Sequence, residues 1–414
     1  MEDFNLNGTE NLLFALLRLG LGYCAENGQD DALFDRVSAG EWSDCYSMAC
    51  KQGVMALAWD GVLKLQKGKQ PPLNVKIPWA MAVERYEKRY AEFCKAIEKL
   101  STLYRNNGIA TVQLKGVGLS SCYPVPQHRE GGDIDIYTFA LENLESSAKI
   151  PERSSEDASC SKDRGDCESV AMKSDRQAND FADELMRRAG IEVENHSYKH
   201  SNFNYKGIPI ENHKCFLNVK HYKYGAHLDN FLRREMEPEK VVLQGCSSAV
   251  LVPSLKFNSV FIPFHAFQHY GCGLTLHHLC DWAVLVRRGA LEKWPQEVDD
   301  KDFLTGIAAF SILSDALMGT DSRMHEKWCA IRSGIVEMNR ARELACKMLK
   351  EMLSPEFENE IPVNGKVQIL VYKTRRLLHR YRLINEVIKT SLLSNLWKSV
   401  VVHVKNPLLI FKTR

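Results

Sequence analysis

The residues of this chain that could do chemistry gather in two short stretches. The first is Gly132-Asp133-Ile134-Asp135, which opens a run that alternates as a strand from Asp133 to Phe139. Side chains at i and i+2 of a strand point to one face. Asp133 and Asp135 therefore project together, while Ile134 and Ile136 turn toward a core. Two adjacent carboxylates repel, and each is costly to desolvate. A divalent cation relieves both penalties, and hard oxygen ligands suit Mg²⁺ (or Mn²⁺) shared with substrate phosphates. Taken alone, an Asp-x-Asp pair reads first as an exposed acidic strand end.

The second stretch changes that reading. Ile109 to Leu114 is a short apolar strand leading into Lys115-Gly116, which opens a brief helix toward Tyr123. A glycine at such a turn lets backbone amides approach a phosphate, and a helix N-terminus favours anions. Lys115 and Arg129 add cations for a triphosphate. Downstream, Ile208 to His213 alternates again and places Glu211 and His213 on one face. Paired beside the first acidic strand, Glu211 becomes a third carboxylate. Three acids and a phosphate-cradling turn make a two-metal phosphoryl-transfer site.

The order Leu114-Lys115-Gly116, Tyr123-Pro124-Val125-Pro126, Arg129 and Gly132-Asp133-Ile134-Asp135 resembles the uncharacterised nucleotidyltransferase family of bacteria, within the polymerase β-like superfamily. Ile210-Glu211-Asn212-His213 resembles the family's later acidic-x-His strand, and the likeness extends to Gly273-Leu274 through Asp281-Trp282. The resemblance implies that Asp133, Asp135 and Glu211 hold the metal ions and that Glu211 helps activate the attacking hydroxyl. It implies that Lys115 and Gly116, beside Gly132, sit against the triphosphate, and that Arg129 anchors the loop or a phosphate. The substrate would be a nucleoside triphosphate. The acceptor would be a hydroxyl on a sugar, a lipid-linked glycan or a protein, with surface polysaccharide assembly as the family-level association. The third acid is Glu where the superfamily usually has Asp, which motivates a second reading: a non-catalytic nucleotide-binding or scaffold protein on the same fold.

The elements that must position these residues are legible in outline. Residues 1–107 read as helical, through Asn11 to Tyr23, Trp42 to Leu65 and Trp79 to Asn106, with Pro71, Pro72 and Pro78 breaking the pattern before the third. Residues 108–145 and 180–225 read as the α/β core, with a helix over Phe181 to Ala189. Ile191 to Tyr205 and Ile208 to Val219 read as strands joined near Lys206-Gly207. Between the two core pieces, 146–179 is rich in Ser, Asp, Glu, Lys and Arg and reads as a disordered polar insertion. Residues 226–414 read as a helical domain with a basic tail, Ser259 to Arg288 forming two helices split by Gly271 and Gly273. The fold class is thus α+β, a small mixed-sheet nucleotidyltransferase core flanked by N-terminal and C-terminal helical regions.

Other polar residues carry weaker signals. His265 and His269 have the i, i+4 spacing of helical zinc ligands, but no third ligand follows at the right spacing, so they read as packed or partly exposed histidines. Adjacent His277 and His278 should point apart. Asp281 reads as a buried acid paired with Arg287 or Arg288, or as a cleft residue, and His196 and His200 share a strand face near the acids. Lys373 to Arg382 makes a basic amphipathic helix, a solvated face or, with Trp397 and Val400 to Val404, a peripheral membrane contact.

Composition bounds the rest. With 414 residues and a net charge of +2, no global field favours nucleic acid as a partner. The 13 cysteines are odd in number and lack a Cys-x-x-Cys pair, which points to reduced thiols. No uncharged apolar run reaches spanning length, and the start lacks a basic signal region. The expected location is cytoplasmic, or peripheral to the inner face of the membrane. A nucleotide-sugar glycosyltransferase ranks last, because the long N-terminal α/β nucleotide-binding domain it needs is missing.

Overall fold

The architecture was analysed in a computed structural model that describes residues 4–23, 31–142, 175–195, 197–320, 322–357 and 365–390. Local sequence rules set the N-terminal helices. Asn7 caps α1 (Gly8–Leu21) and Ser38 caps α2 (Ala39–Lys51), each in a capping box with a glutamate at the third helical position, Glu10 and Glu41. The expected single helix over Trp42 to Leu65 is two, because the chain turns at Gln52-Gly53-Val54 before α3 (Met55–Lys64). α1 and α3 touch through paired glycines. A Cβ on Gly20 would lie 2.3 Å from the Leu57 carbonyl oxygen, and one on Gly61 2.2 Å from that of Leu16. No larger residue permits this approach.

α4 (Leu73–Arg105) begins just after Pro72 and keeps Pro78 inside it. The expected break at Pro78 therefore does not occur. A proline near the helix start removes one backbone bond, and the packing of the long apolar face outweighs that loss. Then come β1 (Ile109–Gln113), the single-turn α5 (Val117–Ser120) and β2 (Ile134–Ala140). The next helix, α6 (Asp175–Arg188), starts earlier than the sequence suggested. Residues 175–179 of the expected polar insertion are helical, and Asn179 is buried, donating to Asn212 Oδ1 at 2.8 Å and to the His213 carbonyl at 3.0 Å. The remainder of that insertion, up to 174, lies outside the described residues.

β3 (Val193–Glu194), β4 (His200–Tyr205) and β5 (Ile208–His213) follow. The run expected as one strand over Ile191 to Tyr205 is thus two antiparallel strands, and β5 ends at His213 rather than Val219. The β4–β5 turn falls at Lys206 and Gly207, both with positive φ, as the spacing predicts. Beyond residue 226 the chain is not wholly helical. After α7 (Gly225–Arg234) it forms β6 (Pro238–Val241) and β7 (Val250–Pro253). It then runs through α8 (Leu255–Gln268), α9 (Leu276–Arg287), α10 (Lys301–Leu313), α11 (Ser322–Ile331), α12 (Met338–Leu353) and α13 (Lys366–Val387).

The seven strands form one mixed sheet in the order β3-β4-β5-β2-β1-β7-β6. β2 runs antiparallel to β1 and parallel to β5, so both neighbours of the acidic strand are fixed by full ladders. One sheet face, with Ile109, Ile134, Ile136 and Ile210, packs against Ile97 and Leu100 of α4 and Ala182 and Met186 of α6. The other face joins a larger core that unites the N-terminal and C-terminal helices. Arg18, the charge that interrupts the first apolar run, is buried and donates to the Leu317 carbonyl at 2.9 Å. Gln52 similarly donates to the Met352 carbonyl at 2.7 Å and accepts from the Leu276 amide at 2.9 Å. The two flanking helical regions therefore form a common body, and the acids lie on the sheet face turned toward it. No described helix is long and apolar enough to cross a membrane.

Candidate functional site

The parallel ladder sets Asp135 opposite Glu211 and Tyr137 opposite His213. These four side chains share the face that alternation assigned to Asp135 and Glu211. Asp133 precedes the first residue of β2, half-buried beside them. Asp135 is the centre of the group, with its side chain only 1% exposed. Its Oδ1 accepts from Lys115 Nζ at 2.8 Å and from His213 Nε2 at 2.9 Å. The same Nε2 lies 3.5 Å from Glu211 Oε2, and His200 Nε2 lies 3.9 Å from that oxygen. Ligand atoms of Asp135, Glu211 and His213 all fall within 4.8 Å of one another.

The three acids are electrostatically unequal. Burial pushes the Asp135 carboxyl up, but Lys115 and the His213 hydrogen bond more than reverse this and hold it far below the usual carboxylate range. Burial and the Asp135 charge push Glu211 up as well, and His213 with Lys115 outweighs them, so it too lies below its usual value. Asp133 goes the other way: burial, then the negative charge of Asp135, raises it. Burial alone would lower Lys115, yet Asp135, Asp133 and Glu211 keep it charged and raise it.

Gly116 lies beneath the acids with φ 61°. A Cβ there would point between Arg129 Nη1 at 3.7 Å, the Asp133 carbonyl oxygen at 3.8 Å and Asp135 Oδ2 at 4.0 Å. The glycine thus keeps open the space onto which the free oxygen of Asp135 faces. α5, which Gly116 begins, is a single turn, so its dipole adds little to anion binding, less than the expected helix would. Gly132 is exposed, and its carbonyl accepts from Arg89 Nη2 at 2.7 Å.

Arg129 borders this arrangement through Nη1, but its bonds go elsewhere. Its Nε and Nη2 donate to the two oxygens of Asp281 at 3.1 and 2.6 Å, and its Nη1 donates to the Glu130 carbonyl at 2.9 Å. Tyr123 Oη donates to Asp281 Oδ1 at 2.6 Å. Of the two roles expected for Arg129, these contacts describe the loop anchor. The partner expected for Asp281, Arg287 or Arg288, is not the one found. Arg287 lies over Tyr23 and Arg288 donates to the Ser121 carbonyl, both nearly two helical turns beyond Asp281 along α9.

Several residues near the site escaped sequence reasoning. His213 was legible as a face-mate of Glu211, but only the ladder shows that it bonds Asp135. Lys199 gave no sequence signal. It precedes β4, feels the charges of Lys115, Asp135 and Glu211, and has no ion-pair partner among the described residues. Burial and Lys115 hold it below the ordinary lysine value. His196 lies outside the described residues. His265 and His269 do acquire a third companion, His278, from α9. His277 and His278 do not point apart: their Nδ1 atoms lie 2.7 and 3.2 Å from the same Thr275 Oγ1, because in the first helical turn both rings reach back to the cap. Burial, with the charge of Lys115, lowers His265 and holds His269 down at about 4. Burial with His277 lowers His278.

As a donor set, the acids fit a hard divalent cation. Asp135 Oδ2 faces the Gly116 cradle, and Asp135, Glu211 and His213 bring ligand atoms within 4.8 Å of one another; Asp133 is not in that set, though it is near enough for the charges of Asp135 and Glu211 to raise it.

The model of the uncharacterised nucleotidyltransferase family matches residues 38–147 and 174–305, more than half of the chain, including Lys115, Arg129, Asp133, Asp135 and Glu211. No curated protein and no solved structure matches the chain. The motif order, the mixed sheet that carries it and the extent of the family match lead to one assignment: this chain belongs to the uncharacterised nucleotidyltransferase family.

Proposed function

We propose that the protein transfers a nucleoside monophosphate from a nucleoside triphosphate to a hydroxyl acceptor, using Mg²⁺ or Mn²⁺ held by Asp133, Asp135 and Glu211. The observation that carries this reading is the parallel register that seats Asp135 beside Glu211 above the Gly116 cradle. When bound, the divalent ion supplies charge neutralisation at the phosphates and lowers the pKa of a coordinated hydroxyl. The chain's own residues do the rest. Gly116 admits the phosphates, and Lys115 and the unpaired Lys199 offset their charge. Glu211 accepts the acceptor hydroxyl's proton as its oxygen bonds the α-phosphorus. The bond from that phosphorus to the bridging oxygen breaks, and pyrophosphate leaves with the electron pair. Lys115, already on Asp135, keeps the acid cluster folded when substrate departs.

Titration calorimetry tests this with Mg²⁺ and each nucleoside triphosphate, on the wild type and on the Asp133→Ala/Asp135→Ala variant. Metal-dependent binding to the wild type alone is expected. Its absence from the wild type sinks the reading.

A second reading, nucleotide binding without transfer, has one observation in its favour. Asp135 Oδ1 is already satisfied twice, by Lys115 and by His213. Turnover measured against sugars, lipid-linked glycans and proteins separates the two, since a binder retains the calorimetric signal and forms no product. The acceptor class and a role in surface polysaccharide assembly rest on the family resemblance. A cytoplasmic location, peripheral to the inner face of the membrane, is part of the same proposal. Contact through α13 is supported by exposed Val367, Leu370, Val371 and Leu378 interleaved with its basic residues. Trp397 and 400–404 lie outside the described residues.

A further inference from the structure

Three imidazoles converge on the helical body where it faces the sheet. His265 and His269 are one turn apart on α8, and His278 stands on the first turn of α9. Each offers a ring nitrogen, and the three nitrogens lie within 4.8 Å of one another. The ring centroids are 4.9 Å apart for His265 and His269, 5.2 Å for His269 and His278, and 6.0 Å for His265 and His278.

The hydrogen bonding around the cluster is uneven. His278 Nδ1 accepts from the Thr275 backbone N–H at 3.2 Å and lies 3.2 Å from Thr275 Oγ1, while its Nε2 has no hydrogen-bond partner among the described residues. The rings of His265 and His269 have no hydrogen-bond partner among the described residues. Packed histidines normally spend at least one ring nitrogen on a carbonyl, carboxylate or hydroxyl. Here two half-buried rings spend neither and turn toward a third.

We propose that His265, His269 and His278 form a transition-metal site of the zinc type, separate from the acid cluster, with three protein ligands and one position left for a substrate oxygen. The donor chemistry separates the two sites. Three imidazoles select Zn²⁺ or a related borderline ion, whereas the all-oxygen set of Asp133, Asp135 and Glu211 suits Mg²⁺. Three ligands with an open fourth position is the pattern of catalytic rather than structural zinc. For Nε2 of His278 to take the metal, the ring proton moves to Nδ1, which gives up the bond from the Thr275 N–H and donates to Thr275 Oγ1 instead, an outer contact of the kind that orients metal-bound histidines. Lys115 is the strongest charge felt by His265 and His269, and its pairing with Asp135 is what a captured cation relies on to offset it.

The site does not depend on the transferase reading, and its test is blind to turnover. Co²⁺ is added to the full-length protein, and the visible absorption of tetrahedral cobalt is recorded, with circular dichroism confirming the fold. The wild type is expected to give the band with about one ion per chain. His265→Ala and His269→Asn, the second a milder change at a half-buried position, are expected to lose it, while His213→Ala is expected to keep it. Three results overturn the proposal: no band in the wild type, a band that survives in either α8 variant, or a band that disappears with His213→Ala.

Discussion

Asp135 and Asp281 are both buried carboxylates held by a cation, yet their surroundings close differently. Asp281 receives two bonds from Arg129 and one from Tyr123, and one cation balances one anion. Such a network is complete and needs nothing further. Asp135 receives both of its donors on one oxygen, and its neighbours Asp133 and Glu211 leave the group with more negative than positive charge. Under the proposed function, the difference separates a structural acid from a working one. A carboxylate saturated by donors braces the fold, while one crowded by other carboxylates is set up for a cation.

Four experiments break or sharpen that contrast. The largest effect is expected for Asp135→Asn, a loss of transfer on the order of 10³-fold in a chain that still folds; product formation by chromatography measures it. Asp281→Ala should do the reverse. It leaves Arg129 buried without a counter-charge and should lower stability by about 3–5 kcal/mol, read as a shift in denaturant midpoint. If Asp281→Ala kept the midpoint and lost nucleotide binding, the contrast would collapse. Gly116→Ala places a Cβ in the cradle at positive φ, at a cost of about 1–3 kcal/mol, and should raise the KM for nucleotide. An unchanged KM would mean that phosphate does not lie there.

The smallest effect is the pH dependence of metal binding. Asp133 titrates above the ordinary carboxyl range, and a metal needs the ionised form. Mg²⁺ affinity should therefore fall as the pH drops through the raised Asp133 value, before Asp135 and Glu211 take up protons. Calorimetric titrations at a series of pH values check this, and Asp133→Asn should flatten the upper part of the profile. A profile unaffected by that change would place the titrating group elsewhere.

Much of the site was readable from period-two alternation and motif order. Alternation put Asp135, Glu211 and His213 on common faces, and the glycine in Lys115-Gly116 announced a tight turn. What stayed hidden were pairings set by tertiary register. Nothing near Asp281 in the chain indicates Arg129, 152 residues away. Nothing in His265 and His269 points to His278 across a helix break. The strands β6 and β7 were missed for a related reason. They are four residues each, too short for alternation to stand out, and they are strands because β7 joins β1 and β6 pairs with β7. Asn179 reads as part of a polar run, and its burial rests on Nδ2 bonds to Asn212 and to the His213 carbonyl that no local pattern announces.

The pairing of β7 with β1 has a consequence for any attempt to divide the molecule. A version ending near residue 226, where the composition turns helical, would keep every acid of the site. It would also strip β1 of its parallel neighbour and bare a row of unpaired amides and carbonyls along the sheet. Exposed edges of that kind recruit other chains, so the shortened protein would assemble into aggregates. The acid-bearing motif ends at His213; the sheet that carries it ends at Pro253.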